Sequence, residues 1–300
     1  MRDRLRTALA VSLLTAVVLS GCGVSQPRPA QKVHVTVSIV PQQYFVQRVG
    51  GEHVEVNVMV LPGANPATYE PKPAQLGALA EADLYFSIGV PFEEAWLARI
   101  AGANPEMGII DTTRGIERVP VDAHYKVAQG GRPPGEGEGA DPHIWLSPRL
   151  VKIQMQTIYE ALVALDPTHQ DAYQANRDRL LADIEQLIHD IEAALQGISQ
   201  RKFMVFHPSW GYFGDDFQLE MLPIEVGGQE PSPAELAELV STARAEGIRV
   251  VFAQPEFSTR AAETIAQEIG GEVLLVSPLA LDWLDNLRDV ATTFAQVLSE

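Results

Sequence analysis

The segment that decides the fold is FMVFHPSWGYF, residues Phe203–Phe213, in which a short apolar run leads to His207 and ends at Pro208. An apolar run of this length before a proline is typical of a buried strand in a parallel sheet. Ligands of α/β proteins bind beside the carboxyl ends of such strands. The segment therefore predicts that His207 lies at a ligand-binding edge.

A second histidine has a similar setting in the segment DPHIWLSP, residues Asp141–Pro148. His143 follows a glycine-rich stretch and precedes a helix, because Ser147 and Pro148 are typical of the N-cap and the first helical position. Either histidine alone is more often a structural residue than a ligand. Two of them in such settings, far apart in the sequence, predict two lobes that converge on one ion.

Runs of β-branched residues alternate with helical patterns along both halves of the chain. This alternation is typical of βα units and of parallel sheets with flanking helices, which is an α/β fold. The predicted strands are Val33–Val40, Val54–Val60, Asp83–Ile88, Gly108–Ile110, Phe203–Phe206, Gln218–Ile224, Ile248–Ala253 and Glu272–Val276. The second half therefore repeats the first in outline.

One long helix is predicted between the halves. It starts at Asp166-Pro167, carries apolar residues at spacings of three and four from Leu180 to Leu195, and meets no glycine before Gly197. At about 30 residues it would be roughly 45 Å long. We expect a rigid connection (166–198) between an amino-terminal lobe (32–165) and a carboxyl-terminal lobe (199–300), although one long helix inside a single domain would give the same pattern.

The amino terminus indicates export. A basic start, an apolar run from Ala8 to Leu19 and small residues before Cys22 predict a signal peptide over residues 1–21. The segment LSGC resembles the bacterial lipobox, which implies lipid on Cys22, the only cysteine of the chain. Residues 22–31 then form a tether to the membrane.

Composition limits the partners. The formal net charge of −17 disfavours nucleic acid, because few cations are available to neutralise phosphates. A hydrophobic content of 46% is that of an ordinary soluble domain. Residues 121–140, rich in glycine and proline, predict a mobile surface loop with one histidine, His124.

Several short motifs together resemble the ZnuA-like family, the zinc- and manganese-binding lipoproteins of bacterial ABC importers. They occur in the family's order over nearly the whole mature chain: Leu61–Pro66 with Thr68–Pro71, Asp141–Pro148, His207 with Gly211–Phe213, Pro231–Leu236 and Ser277–Leu279. The resemblance implies an extracytoplasmic, monomeric binding protein without catalytic activity. It would capture Zn²⁺, or less favourably Mn²⁺, between its lobes and pass the ion to a membrane permease.

Two positions depart from the family pattern, which has His where Ala67 stands and Asp where Ser277 stands. Only His143 and His207 carry over as ligands, and zinc takes about four. We expect Glu256, at a strand end, as a tentative third ligand, with Glu225, Asp282 and water as the next choices.

Other outcomes stay open at this point. The site could bind metal weakly, or the same fold could bind a chelated metal or a small organic ligand. Two other classes are a lipoprotein hydrolase that uses metal at the two histidines, and a surface adhesin.

Overall fold

The computed structural model describes residues 32–124, 139–225 and 228–299. The predicted signal peptide and the whole predicted tether, including Cys22, lie outside the described residues, as does the middle of the predicted 121–140 loop. Among the described residues, no helix is both long and apolar enough to cross a membrane.

Two four-stranded parallel sheets form the framework, which confirms the predicted α/β class. The first sheet has the order β2-β1-β3-β4 and the second the order β6-β5-β7-β8. The strands are β1 Val33–Val37, β2 Val54–Val58, β3 Leu84–Ser87, β4 Gly108–Asp111, β5 Lys202–Val205, β6 Glu220–Pro223, β7 Val250–Ala253 and β8 Glu272–Leu275. The strand order is the same in both sheets, so the repeat expected from the sequence is present.

Helices flank both sheets, and two of them start where a serine cap followed by proline predicts. Pro148 and Pro233 each follow a serine whose hydroxyl accepts a backbone N–H of the first turn. The helices are α1 Val40–Gly50, α2 Pro73–Ala80, α3 Pro91–Ala103, α4 Pro148–Leu165, α5 Gln170–Ala194, α6 Gly211–Phe217, α7 Pro233–Ala245, α8 Arg260–Ile269 and α9 Trp283–Leu298.

The long connecting helix is shorter than predicted. Pro167–His169 form a separate 3₁₀ turn, and α5 then runs for 25 residues. Its apolar stripe is buried where α5 packs against α1, α4 and α9. The stripe belongs to one hydrophobic cluster that also contains residues of both sheets, such as Phe86 and Phe252. The lobe boundaries remain a prediction.

The prediction of a surface loop over residues 121–140 is wrong for its first residues. Val121–His124 form a 3₁₀ turn, and both end residues of this turn are buried. Pro120 and Ala140 form an isolated antiparallel bridge, which brings the two ends of the segment together. The glycine-rich composition therefore did not predict the packing of its flanks.

Strand order determines where a ligand site can form. In each sheet the order reverses direction between the two central strands, β1 and β3 or β5 and β7. Such a switch point opens a crevice at the carboxyl ends of the strands. His207 follows β5 and Glu256 follows β7, so both lie at the crevice of the second sheet.

Candidate metal centre

Buried Gln254 fixes the backbone of His207. The side chain of Gln254 accepts the His207 N–H at 3.1 Å and donates to the His207 carbonyl oxygen at 2.7 Å. Because Gln254 follows β7 and His207 follows β5, one amide ties the two central strand ends together. The ring of His207 stacks on Phe257, with centroids 4.3 Å apart.

A tight turn before α4 presents His143. Asp141 is fully buried, and its Oδ1 accepts both the backbone N–H of His143 at 2.9 Å and the ring Nδ1 at 2.6 Å. A 3₁₀ turn, Ile144–Leu146, follows at once and is buried. The ring of His143 is therefore held at one nitrogen, and its other nitrogen is left for the cleft.

The two imidazoles meet across the cleft. His143 Nε2 lies 3.3 Å from His207 Nε2. His207 Nδ1 lies 3.0 Å from Glu225 Oε2, so each ring places its Nδ1 on a carboxylate. Carboxylates in these positions fix the tautomer of metal-binding histidines and leave the Nε2 lone pair for the metal. Two nitrogens bound to one tetrahedral zinc at about 2.0–2.1 Å would be about 3.3–3.4 Å apart.

The surroundings favour neutral imidazole and ionised aspartate. Burial lowers the pKa of His207, and the hydrogen bond that its Nδ1 donates to Glu225 only partly offsets this effect. Burial opposes ionisation of Asp141, but the neighbouring His143 and His124 hold the pKa of its carboxyl well below the usual value. Burial of His207 thus favours its neutral form, which offers a lone pair to a cation.

Glu256 follows β7, and its carboxyl group contacts Ser277. Its Oε1 accepts the hydroxyl of Ser277 at 3.1 Å. Its Oε2 is buried and has no hydrogen-bond partner among the described residues, and burial raises the pKa of the carboxyl. A buried carboxylate oxygen without a donor is costly unless a cation or a proton satisfies it. Glu256 as a third ligand stays a proposal.

The other predicted ligand positions have other contacts. Glu225 is held by the Nδ1 atom of His207, and Asp282 lies at the N-cap of α9. Within residues 32–124, 139–225 and 228–299, no group of three or more histidine, cysteine or acidic side chains is arranged to hold a metal. The described structure thus brings together two of the expected ligands, His143 and His207.

A wide cleft surrounds the pair. Its volume is about 560 Å³, and its walls include Ala67, Trp145 and Phe257 together with both histidines. Ala67, at the position that the family resemblance assigns to a third histidine, is solvent-exposed.

His124 braces the site from behind. Its Nε2 is 3.1 Å from Asp141 Oδ2, an ion-pair distance without hydrogen-bond geometry, and its Nδ1 is 2.7 Å from Asp215 Oδ2 on α6. Burial disfavours its charged form, but the two carboxylates outweigh burial and raise the pKa of His124 to about 9. Gly211 permits this packing, because a Cβ there would be 2.4 Å from the ring of His124.

Sequence reasoning missed the carboxylate partner of His143. The signal was present, since an aspartate two residues before a backbone N–H commonly caps it. The role of Gln254 had no comparable signal, because it depends on the neighbouring strand.

Comparison with known proteins indicates the family of this fold. Residues 35–297 match the family described as zinc-uptake complex component A, periplasmic. The chain belongs to this family. Its expected metal-ion cargo is confirmed at the level of the family, whose members include proteins named for zinc and for manganese. The family is described as a component of a zinc-uptake complex, and this description does not name an enzyme class.

Three relatives illustrate the range of the zinc-uptake family. The chain is 24% identical to the high-affinity zinc uptake system protein ZnuA of Bacillus subtilis, over 88% of this chain and 85% of that protein. It is 25% identical to the manganese-binding lipoprotein MntA of Halalkalibacterium halodurans, over 97% of both. A crystal structure of a ZnuA superposes with a TM-score of 0.83 at 46% identity, covering 90% of this chain and all of that one.

Proposed function

We propose that this protein captures a divalent transition-metal ion between His143 and His207 and delivers it to the permease of an ABC importer. The observation that carries the proposal is the 3.3 Å separation of the two Nε2 atoms, each on a ring whose Nδ1 contacts a carboxylate. Two lone pairs at this distance repel each other unless a proton or a cation lies between them. A zinc ion removes that repulsion and matches the spacing.

Zinc is favoured over manganese by the ligand type. Imidazole nitrogens suit zinc, whereas manganese prefers carboxylate, carbonyl and water oxygens. The proposed protein ligands are His143, His207 and, tentatively, the free oxygen of Glu256. The protein performs no catalysis in this proposal, and it acts as a monomer.

Membrane attachment belongs to the same proposal. Lipid on Cys22 would hold the protein at the outer face of the cytoplasmic membrane or at the cell surface, close to its permease. The basic start, the apolar run and the LSGC segment support this location.

Metal content tests the capture function. Full-length protein in mild detergent, incubated with excess Zn²⁺ or Mn²⁺ and then desalted, should retain about one equivalent by mass spectrometry. A His143→Ala, His207→Ala double variant should retain none. Absence of metal from the wild-type protein would reject the proposal.

A further inference from the structure

We propose that the ion is held in this cleft as a complex with a small aminocarboxylate, which supplies the ligands that the side chains of the described residues leave open. This inference rests on the proposed metal capture at His143 and His207. It names the chemical form in which the metal is bound, and it assigns the rest of the cleft to an organic molecule.

The first argument is the number of protein ligands. Two ring nitrogens converge, and no third acidic, histidine or cysteine side chain joins them among the described residues. Even if Glu256 turns its buried free oxygen toward the ion, the described residues supply three ligands. Zinc takes four or five, so the described residues leave at least one position open, and two without Glu256.

The second argument is the size of the cleft. Its volume is about 560 Å³. A water molecule takes about 30 Å³ in the liquid, so an ion with two waters would fill only a small part of this space. Sites for small organic ligands are about 300–1,000 Å³. The cleft has the size of a metabolite site rather than that of an ion site.

The third argument is the chemistry of the walls. Most of the wall is apolar: Pro66, Ala67, Val90, Trp145, Phe257 and Leu279. A few polar side chains, Asn65, Thr68 and Ser258, lie among them. Apolar walls with a few polar groups are typical of small-molecule sites, in which the apolar surface contributes affinity and the polar groups fix orientation.

Charge selects the class of chelator. Glu225 and Glu230 line the cleft, and the chain carries a formal net charge of −17. Zinc with one aminocarboxylate anion has a net charge of +1, whereas zinc with citrate is an anion. The acidic surroundings attract the first complex and repel the second. An amine or imidazole nitrogen beside a carboxylate also suits zinc.

Equilibrium dialysis with radiolabelled L-histidine tests the inference on full-length protein in mild detergent. At a fixed, buffered concentration of free Zn²⁺, we expect about one equivalent of histidine to be retained with zinc and none without zinc. Unlabelled L-histidine should lower the apparent Kd for zinc at least tenfold, and citrate should not.

A substitution at Ala67 should reduce the retention of L-histidine without removing zinc. Ala67 is exposed on the cleft wall, so a larger side chain there is compatible with folding. Ala67→His would place a protein imidazole beside the open positions. Retention of L-histidine should fall at least tenfold while one equivalent of zinc is still bound. The matched control is Ala78→His, which adds the same group on the exposed face of α2, outside the cleft.

The outcomes separate the two proposals. One equivalent of zinc bound without retained histidine would overturn the chelate inference and leave metal capture standing. Retention of neither zinc nor histidine would overturn metal capture itself. Histidine retained equally without zinc, or zinc–citrate retained as well as zinc–histidine, would also overturn the inference.

Discussion

The indole N–H of Trp283 donates to the backbone carbonyl oxygen of Trp145 at 2.7 Å. The indole of Trp145 in turn donates to the carbonyl oxygen of Pro278 at 2.7 Å. Trp145 follows His143 in the turn before α4, whereas Pro278 follows the last strand of the second sheet and Trp283 begins α9. These two bonds therefore fasten the turn that presents His143 to the other half of the fold.

We expect Trp283→Phe to destabilise the protein, because it leaves the buried carbonyl of Trp145 without its donor. An unsatisfied buried group costs about 1–3 kcal/mol, in addition to the lost packing. Trp210→Phe is the matched control, since Trp210 is fully buried but its N–H has no hydrogen-bond partner among the described residues. Urea unfolding should show the larger loss for Trp283→Phe, and equal losses would contradict the role of the bond.

Glu256→Gln should separate stability from metal affinity. Burial raises the pKa of this carboxyl, so the folded metal-free protein bears the cost of a buried charge at neutral pH. The melting temperature of the metal-free variant should equal or exceed that of the wild type, while the Kd for zinc rises at least tenfold. Glu272→Gln, exposed at the amino end of β8, should change neither. An unchanged Kd in Glu256→Gln would remove Glu256 from the ligand set.

Metal affinity should decrease in acid. In the proposed site neutral imidazoles bind the ion, and an unperturbed histidine takes up its proton near pH 6.5. Because burial lowers the pKa of His207, its proton competes with the metal only below that value. The Kd for zinc should be nearly constant from pH 7 to 8 and should rise steeply below about pH 6. Constant affinity from pH 5 to 8 would count against imidazole ligands.

His124 should make the stability of the fold decrease as the pH rises, which is opposite to the expected trend of the metal affinity. Its carboxylate neighbours raise its pKa to about 9, above the unfolded value near 6.5. The stabilisation is therefore complete below about pH 6.5 and is lost as the pH rises toward 9, and its upper limit is about 3 kcal/mol. His124→Gln should flatten this loss in urea unfolding between pH 6 and 9.5.

His189→Gln is the control for that series, because the His189 side chain is 72% exposed on α5. The control should follow the wild-type curve. A His124→Gln curve parallel to the wild type over the whole range would show that His124 is not charged in the folded protein.

Cys22→Ser should release the protein from membranes. In the proposed arrangement, the lipid that this cysteine would carry supplies the attachment at the amino terminus. Membrane and soluble fractions of a bacterial expression host, compared by immunoblot, check this expectation. Unchanged membrane association would reject the lipoprotein assignment.

Much of the framework could be predicted because it depends on local patterns. Strands appeared as β-branched runs, and the proline after each serine cap marked the starts of α4 and α7. Boundaries were less accurate, since the predicted strand Val33–Val40 ends at Val37 and α1 already begins at Val40. A valine fits either element, and the register with the neighbouring strand decided between them.

The site was predicted only in part. His143 and His207 could be found because each adjoins an element boundary that is visible in the sequence. The carboxylate partner of His207 depends on tertiary packing: Glu225 was considered as a ligand, but it lies against the Nδ1 atom of His207. The ion pair of His124 with Asp215 joins residues 91 positions apart, and no local pattern reports such a contact.

The hydrophobic cluster shared by the two sheets has a consequence for how the cargo leaves. Binding proteins whose lobes have separate cores can close and reopen by hinge rotation. Here such a rotation would have to break the packing around α5, so we expect capture and release with little relative movement of the lobes. In the proposed delivery to a permease, the residence time would then depend on how quickly competing ligands replace the imidazoles. Affinity and delivery rate would be adjusted at the same few side chains.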